Sequence, residues 1–227
     1  MKILNLYACL GGNRYKWDEV AKENGIEIEV TAVELDEELA KLYQERFPND
    51  KVIVADAHQY LLKHFKEFDF IWSSPPCPSH SRINYSFKNR KKEGFIVYPD
   101  MSLYQEIILL DNFFDGKYVV ENVISYYKPL IQPKGRGRHY YWTNFNLPND
   151  LKERDAPFIK ITPSSKKPKN IVEKRCEFHE IDLTNYNGKQ SKEKIANNLV
   201  DFEAGRTIFE TVLGIHKKLI VNQTELF

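Results

Sequence analysis

The sequence predicts an α/β fold in which an open sheet is flanked by helices. Short apolar runs alternate with helical patterns over residues 1–146, as expected of strand–helix units. The first run leads through a glycine turn into a helix. The next four runs end in residues capable of chemistry: Glu34, Asp56, Cys77 and Glu121. Because open α/β sheets bind ligands at the carboxyl edge of their strands, we expect one site at that edge.

The composition is typical of a chain with a real core and a charged surface. Of the 227 residues, 42% are hydrophobic and 29% are charged, and a net charge of +1 gives no global attraction for polyanions. The three cysteines show no paired spacing, and no apolar run is long enough to span a bilayer. We therefore expect a cytoplasmic protein with no membrane partner. We divide it into a domain at 1–146, a lobe at 147–198 and a terminal segment at 199–227 whose helix packs back on the domain.

The first strand–turn–helix unit predicts a ligand-binding corner. Residues 2–8 form the strand, Cys9-Leu10-Gly11-Gly12 the turn, and residues 15–24 the helix. Small residues let a ligand approach the backbone, and a helix amino end favours polar or anionic groups. The corner therefore indicates a nucleotide-type ligand, although glycine also serves purely structural βα turns.

Acidic residues end the second and third strands. After the strand at 27–33, Glu34 matches the position, about 20 residues beyond a glycine turn, that holds a ribose diol in doubly wound folds. Asp36 then caps the helix at 37–47. After the strand at 51–55, Asp56 could accept a hydrogen bond from an adenine amino group or cap the helix at 57–65. Both interpretations of Asp56 stay open.

The fourth strand, which starts at Phe68, leads into a proline-rich turn. Pro75, Pro76 and Pro78 have no amide hydrogens, so they turn the chain out of the sheet. Cys77 stands in that turn. A lone cysteine is more often a small, inert core residue, so a reactive role for Cys77 depends on partners elsewhere in the chain.

A basic segment follows Cys77. Its cations and a neighbouring serine could contact nucleic-acid phosphates. These residues are Ser81, Arg82, Lys88, Arg90, Lys91 and Lys92. A solvated charge run is the usual interpretation of such a segment, and its position next to Cys77 is what favours phosphate binding.

The fifth strand, at 118–123, follows a helix at 100–114 and carries Glu121 and Asn122 at its end. Arg136 and Arg138 come next, two positions apart. On an extended segment such residues point to the same side, which suits the recognition of one flat polar ligand. Residues 140–145 again have a strand pattern.

The rest of the chain is punctuated by prolines and has poor periodicity. We interpret residues 147–198 as a small irregular lobe, and a helical pattern returns at 199–219. Cys176 and His179 have a metal-like spacing, but no second pair joins them, so we expect no metal site.

The strand-end residues together fit one reaction. A thiolate is a strong nucleophile, a carboxylic acid can protonate a ring nitrogen, and two guanidinium groups can hold a ring carbonyl oxygen and a phosphate. These groups are the ones needed to attack C6 of a pyrimidine and to activate its C5.

In their order, these motifs resemble those of the DNA (cytosine-5) methyltransferases. Residues 6–12 resemble the F-x-G-x-G-G motif, Pro75-Pro76-Cys77 the Pro-Cys nucleophile loop, residues 121–123 the E-N-V motif and residues 134–138 the Q-x-R-x-R motif. The resemblance covers residues 1–145. It implies a Rossmann-like, S-adenosylmethionine-dependent methyltransferase sheet flanked by helices, with a small irregular C-terminal lobe.

The resemblance also implies a cofactor and roles for the site residues. Cys77 would add to C6 of a cytosine flipped out of double-stranded DNA, and Glu121 would protonate or hydrogen-bond N3. Arg138 would bind the cytosine O2 with support from Arg136, and Asn122 would fix the proline–cysteine loop. S-adenosylmethionine, which leaves as S-adenosylhomocysteine, would contact Tyr7, Ala8, Cys9, Leu10, Gly11, Gly12, Glu34, Leu35, Asp56, Ala57 and Pro76.

The chain departs from the family pattern at several positions. Cys9 replaces the first glycine, Asn5 stands where aspartate is usual, Lys134 replaces glutamine, and residues 197–200 stand in for the last motif. The lobe is shorter than the usual target-recognition domain, so specificity could be short, weak or supplied by a second subunit. Such compact forms resemble those of phages and mobile elements. We expect a monomer near the nucleoid, with a cognate restriction enzyme as a possible partner.

Three alternatives stay open. Ser74-Pro75-Pro76 also resembles the S-P-P-[YFW] motif of amino-directed DNA methyltransferases, although Cys77 occupies the aromatic position of that motif. A tRNA-directed relative carries the same motifs as the DNA enzymes. A catalytically silent DNA-binding subunit would keep the same fold.

Overall fold

The computed structural model describes residues 1–82, 84, 98–151, 154 and 170–216. Its strands are β1 (Lys2–Leu6), β2 (Glu29–Glu34), β3 (Lys51–Val54), β4 (Phe70–Ser73), β5 (Lys117–Val123), β6 (Lys134–Arg136) and β7 (His139–Thr143). Its helices are α1 (Trp17–Glu23), α2 (Glu37–Arg46), α3 (Ala57–His64), α4 (Ser102–Phe113), α5 (Ile171–His179), α6 (Lys192–Asn197) and α7 (Phe202–Val212), with a short 3₁₀ turn at Phe65–Glu67. None of the helices in this described part is long and apolar enough to cross a bilayer.

The strands form one mixed sheet in the order β3-β2-β1-β4-β5-β7-β6. Strands β1 to β5 pair with one another in parallel, β7 is antiparallel to β5, and β6 is antiparallel to β7. The strand order therefore reverses between β1 and β4, which places a ligand crevice outside the carboxyl ends of these two strands. The predicted α/β sheet flanked by helices is confirmed.

Side chains of the central strands alternate between two core layers. Phe70 and Trp72 of β4 pack with α1 and α7 on one face, whereas Ile71 packs with α3 and α4 on the other. On the first face Trp17 stacks on Phe209, with 5.3 Å between ring centroids. Burial on both faces explains why these parallel strands read as nearly continuous apolar runs.

Helices α2 and α3 begin at aspartate caps that follow the ends of β2 and β3. The Asp36 carboxylate accepts hydrogen bonds from the backbone N–H groups of Glu38 and Leu39, at 3.0 and 3.2 Å. The Asp56 carboxylate accepts one from Gln59 N at 2.8 Å. Capping by Asp36 is thus confirmed. Asp56 also caps its helix, as one of its two interpretations predicts. Its second carboxylate oxygen takes no part in the capping bond.

The segment 147–198 contains two helices, α5 and α6, where the sequence pattern predicts irregular structure. The reason lies in what α5 buries: Ile171, Arg175 and His179, of which two are polar. A helix that buries charged and aromatic-polar side chains has no apolar stripe to detect. The described part of the last helix, α7, is shorter than the predicted 199–219.

Candidate active site

A cavity of ≈ 950 Å³ opens at the carboxyl ends of the parallel strands. Its volume is at the upper end of the range for ligand sites. The thiol of Cys77 and the carboxyl group of Glu121 face the same cavity, as the sequence predicts. The predicted site residues in its lining are Tyr7, Cys9, Glu34, Leu35, Asp56, Ala57, Pro76, Cys77, Glu121 and Asn122.

The loop that carries Cys77 is tied to the sheet. Asn122 is buried on β5, and its Nδ2 donates a hydrogen bond to Pro75 O at 2.9 Å. Beyond the cysteine, the N–H groups of His80 and Ser81 both donate to Cys77 O at 3.0 Å. The loop is therefore held on both sides of the thiol, and Asn122 fixes it as expected.

The electrostatic surroundings of Cys77 favour the protonated form of its thiol. Burial raises the pKa of this thiol, the negative charge of Glu121 raises it further, and Lys194 acts in the opposite direction. Glu121 is itself buried, and its Oε1 lies 3.6 Å from His139 Nε2. A nucleophilic role for Cys77 therefore requires that the thiol lose its proton when a substrate is present.

On the other side of the cavity, Glu34 shapes the turn after β1. Its Oε2 accepts from Cys9 N at 2.8 Å and its Oε1 from Asp36 N at 3.0 Å. Burial raises the pKa of the Glu34 carboxyl group, and these backbone hydrogen bonds oppose that shift. A carboxylate has about four acceptor positions, so these bonds do not exhaust Glu34, which lines the cavity.

The groups on this wall fit a nucleoside. Glu34 offers acceptors suited to a diol, and Asp56 offers a carboxylate suited to an amine. Leu35 lies between them in the chain and is 67% exposed, so its apolar side chain is available to a flat ring. These two acceptors and the apolar side chain fit the nucleoside part of S-adenosylmethionine.

The two glycines of the turn serve the packing of the protein itself. A Cβ at Gly11, whose φ is +66°, would collide with the rings of Phe47 and Tyr43, and one at Gly12 would collide with the carbonyl oxygen of Val200. In the described turn, Tyr7 and Cys9 line the cavity. Ala8, Leu10, Gly11 and Gly12 lie outside its lining. The close approach that these glycines allow is made to the protein's own chain.

The expectation that two arginines share one side of an extended segment is wrong. Strand β6 ends at Arg136, and Gly137 and Arg138 form the turn into β7, with Gly137 at φ +55°. A left-handed glycine is typical of such two-residue hairpins. Arg136 donates to Pro148 O and to Asn149 Oδ1, both at 2.7 Å, so it holds the chain beyond β7. Neither arginine belongs to the described lining of the cavity.

The predicted phosphate-binding residues are only partly described. Ser81 forms an isolated β-bridge with Ser125, and Arg82 is exposed; both lie outside the cavity lining. Lys88, Arg90, Lys91 and Lys92 fall outside the described residues, so their role stays a prediction. In the described chain, no three His, Cys, Asp or Glu side chains form a group that could hold a metal ion.

The far wall of the cavity comes from a segment that sequence reasoning largely missed. Residues 187–190 and Lys194 line it, together with the residues at 197–200 that were matched to the last family motif. The hydroxyl of Tyr186 donates to Asp36 Oδ2 at 3.0 Å, which joins this segment to the cap of α2. The Asn187-Gly188 pair marks a turn, but a turn signal gives no indication of what the turn faces.

Comparison with known proteins agrees with this geometry. The family model of C-5 cytosine-specific DNA methylases matches residues 1–125, which include the turn after β1, the cysteine loop and the end of β5. No curated protein matches the chain.

Three solved structures illustrate the likeness. A methyltransferase of Entamoeba histolytica, EhMeth, has 11% identity and a TM-score of 0.51, with 96% of this chain and 99% of that chain covered, which shows a shared fold. A mutant of DNMT2 from Spodoptera frugiperda has 26% identity and a TM-score of 0.35, over 54% of this chain and 35% of that chain. TrmN from Thermus thermophilus has 19% identity and a TM-score of 0.36, over 54% and 33%. On the family match, which extends over more than half of its length, the chain belongs to the C-5 cytosine-specific DNA methylase family.

Proposed function

We propose that this protein transfers a methyl group from S-adenosylmethionine to C5 of cytosine in double-stranded DNA. The observation that carries the proposal is the meeting of Cys77 and Glu121 in one cavity, opposite a wall whose groups fit a nucleoside. Membership of the methylase family supports the same reaction.

In this proposal the base side of the cavity performs the covalent chemistry. A base inside a duplex is out of reach, so the cytosine must rotate out of the stack into the cavity. Cys77 Sγ, once deprotonated, forms a bond to C6, and a proton held by Glu121 at N3 makes the ring electrophilic. The electron pair that moves to C5 makes this carbon the nucleophile. Once C5 carries the methyl group, loss of the C5 proton forms the C5=C6 double bond again, breaks the C6–Sγ bond and returns the thiolate, and the proton at N3 returns to Glu121.

In this proposal, the residues on the cofactor side of the cavity bind and orient S-adenosylmethionine. Glu34 would accept hydrogen bonds from the ribose diol, Asp56 would accept one from the adenine amine, and Leu35 would pack on the adenine ring. When bound there, S-adenosylmethionine supplies the methyl group. Asn122 keeps the thiol in place through its hydrogen bond to the loop.

Labelled methyl transfer tests the proposal. The purified chain is incubated with labelled S-adenosylmethionine and either duplex DNA or tRNA. We expect label in DNA, and a stable covalent adduct on DNA that contains 5-fluorocytosine. Cys77→Ser should abolish both results. Cys176→Ser is the matched control and should retain them, because Cys176 packs on the apolar cluster around Leu183, outside the cavity lining.

Two results would contradict the proposal. Transfer to tRNA alone would make the substrate RNA, and wild-type transfer by Cys77→Ser would remove the covalent step. Bisulfite sequencing of DNA from cells that express the protein would identify the modified position and its sequence context.

A further inference from the structure

A fully buried carboxylate lies beneath the active-site cavity. Glu106, on α4, is 0% exposed. Its Oε1 accepts a hydrogen bond from the Tyr7 hydroxyl at 2.6 Å and lies 3.0 Å from His58 Nδ1, and its Oε2 accepts from the Ser73 hydroxyl at 2.6 Å. The hydrogen bond to Glu106 raises the pKa of His58, and burial followed by the charge of Glu106 raises that of Tyr7. Two hydroxyl donors and one imidazole nitrogen therefore satisfy the polar atoms of a single buried acid.

The three residues that contact Glu106 lie next to two different parts of the cavity. Tyr7 follows β1, lines the cavity and has a left-handed φ of 55°, which is unfavourable for a residue with a side chain. His58 follows Ala57, another residue of the cavity lining. Ser73 is the last residue of β4 and begins the chain that leads to Cys77. One oxygen of Glu106 therefore holds the cofactor wall, and the other holds the start of the nucleophile loop.

We propose that Glu106 is a positioning residue that couples the cofactor wall to the nucleophile loop. A carboxylate is planar and rigid, so a displacement of Tyr7 that turns the group also moves the acceptor of Ser73. Because the site is buried, water cannot replace a lost hydrogen bond, and the two sides stay linked. The assignment of Tyr7 to a cofactor wall rests on the proposed function, whereas the link to the loop does not.

A purely structural role would leave the two sides independent. Each donor would then affect its own neighbourhood and the stability of the fold, and nothing else. A coupling role predicts effects across the carboxylate: removal of the Ser73 hydroxyl should alter ligand binding at the cofactor wall, and removal of the Tyr7 hydroxyl should alter the reactivity of Cys77.

The test uses hydroxyl deletions in the full chain that leave Glu106 in place. The variants are Tyr7→Phe, Ser73→Ala and the double variant. Phenylalanine stands at the position of Tyr7 in the family motif, so the fold should tolerate it. Tyr118→Phe is the matched control, because the Tyr118 hydroxyl donates to another helical carboxylate, Asp111, at 3.1 Å and lies outside the cavity lining.

Two properties of each variant are measured alongside its thermal stability, so that an effect on the site can be separated from a loss of folding. The first is the dissociation constant of S-adenosylhomocysteine by calorimetry, and the second is the rate at which iodoacetamide alkylates Cys77 in cofactor-free protein, followed by mass spectrometry. We expect Ser73→Ala to weaken binding by about threefold or more and Tyr7→Phe to change the alkylation rate by a similar factor. A change of this size lies within what one lost hydrogen bond can cost. In the double variant the effects should be less than additive, because both act through one carboxylate.

The inference would be overturned if each variant changed only the readout on its own side, or if Tyr118→Phe produced the same cross-effects. Failure of the wild-type chain to bind S-adenosylhomocysteine would refute the proposed cofactor. In that case the cofactor-free alkylation of Tyr7→Phe, set against that of Tyr118→Phe, still decides the inference.

Discussion

At the scale of single residues, a negative charge on Glu121 opposes ionisation of Cys77, because a thiolate forms less readily beside a negative charge. Burial and then Glu121 raise the pKa of Cys77. In Glu121→Gln the charge is gone, so the pKa of the thiol falls and more thiolate is present at any pH below that pKa. We expect iodoacetamide to alkylate Cys77 faster in this variant, across a pH series. Methyl transfer should fall by about 100-fold, since glutamine cannot supply a proton to N3.

A second carboxylate on the same cavity provides the control for that experiment. Glu37 lines the cavity and is exposed, and Glu37→Gln should leave the alkylation profile of Cys77 unchanged. If Glu121→Gln slowed alkylation, Glu121 would be stabilising the thiolate, and its assigned role as a proton donor at N3 would be wrong.

A buried ion pair beside the turn after β1 gives a prediction about stability. Arg14 and Asp50 are 2.9 Å apart with side-chain exposures of 2% and 3%, and the Tyr43 hydroxyl also donates to Asp50. Asp50→Ala removes the buried partner of Arg14 and leaves it only the largely exposed Asp18, so the free energy of unfolding should fall by about 3 kcal/mol in urea titrations. The exposed pair of Lys41 and Glu38 is the control, and Glu38→Ala should cost at most about 1 kcal/mol.

The position of a site residue could be predicted from the sequence where the residue directly follows a parallel strand. It could not be predicted where it depends on which strands or side chains pair in the fold. Cys77 and Glu121 could be placed at one edge because parallel strands bring their carboxyl ends together. His139 reaches Glu121 only because β7 pairs antiparallel with β5, which opposes Val123 to His139. The role of Glu106 could not be predicted for a related reason. From the sequence alone, an acidic residue on a helix is expected at the surface, and only its partners in the fold show that it is buried.

At the scale of elements, hydrophobic periodicity predicted the strands and helices of the sheet region more accurately than those of the C-terminal segment. Strands β1 to β5 and helices α1 to α4 lie within a few residues of their predicted bounds, because their apolar residues face a core layer. Helices α5 and α6 contact each other, and α6 buries Ile195 in an apolar cluster with Leu10 of the turn after β1. They were missed because two of the three side chains that α5 buries are polar, and the six residues of α6 are too few to show a helical period. The bounds of the three predicted units stay predictions.

Helix α7 supplies the test at this scale. Phe209 is 0% exposed and packs on Trp17 and Phe70, so it closes one layer of the core. Phe209→Ala should lower the free energy of unfolding by about 3–5 kcal/mol, through lost burial and the cavity left behind. Phe113, at 62% exposure on α4, is the control, and Phe113→Ala should change it by about 0.5 kcal/mol or less. An equal loss in both variants would mean that α7 does not close the core.

At the scale of the whole molecule, the cavity lies between the sheet edge and a segment that follows the last parallel strand, β5, by more than 60 residues in the chain. The sheet edge contributes the chemistry, and residues 187–200 contribute the facing wall. Two tyrosines bridge these parts. Tyr186 donates to Asp36 Oδ2 at 3.0 Å and accepts from Gln190 N at 3.0 Å, while Tyr15 donates to Glu180 Oε2 at 2.6 Å on the surface. Only the first of these two bridges borders the cavity.

Because only one of the two bridges borders the cavity, the two tyrosines provide a test variant and its control. Tyr186→Phe removes the hydrogen bonds that hold the 187–190 turn against the cap of α2, so the facing wall should lose order and S-adenosylhomocysteine should bind about fivefold more weakly, equivalent to about 1 kcal/mol. Tyr15→Phe also removes a bridge to the C-terminal segment, but one remote from the cavity, and its dissociation constant by calorimetry should match that of the wild type. Equal weakening in both variants would mean that general docking of the C-terminal segment sets the affinity. Weakening in Tyr186→Phe alone would assign the affinity to residues 187–190, which line the cavity opposite the strand ends.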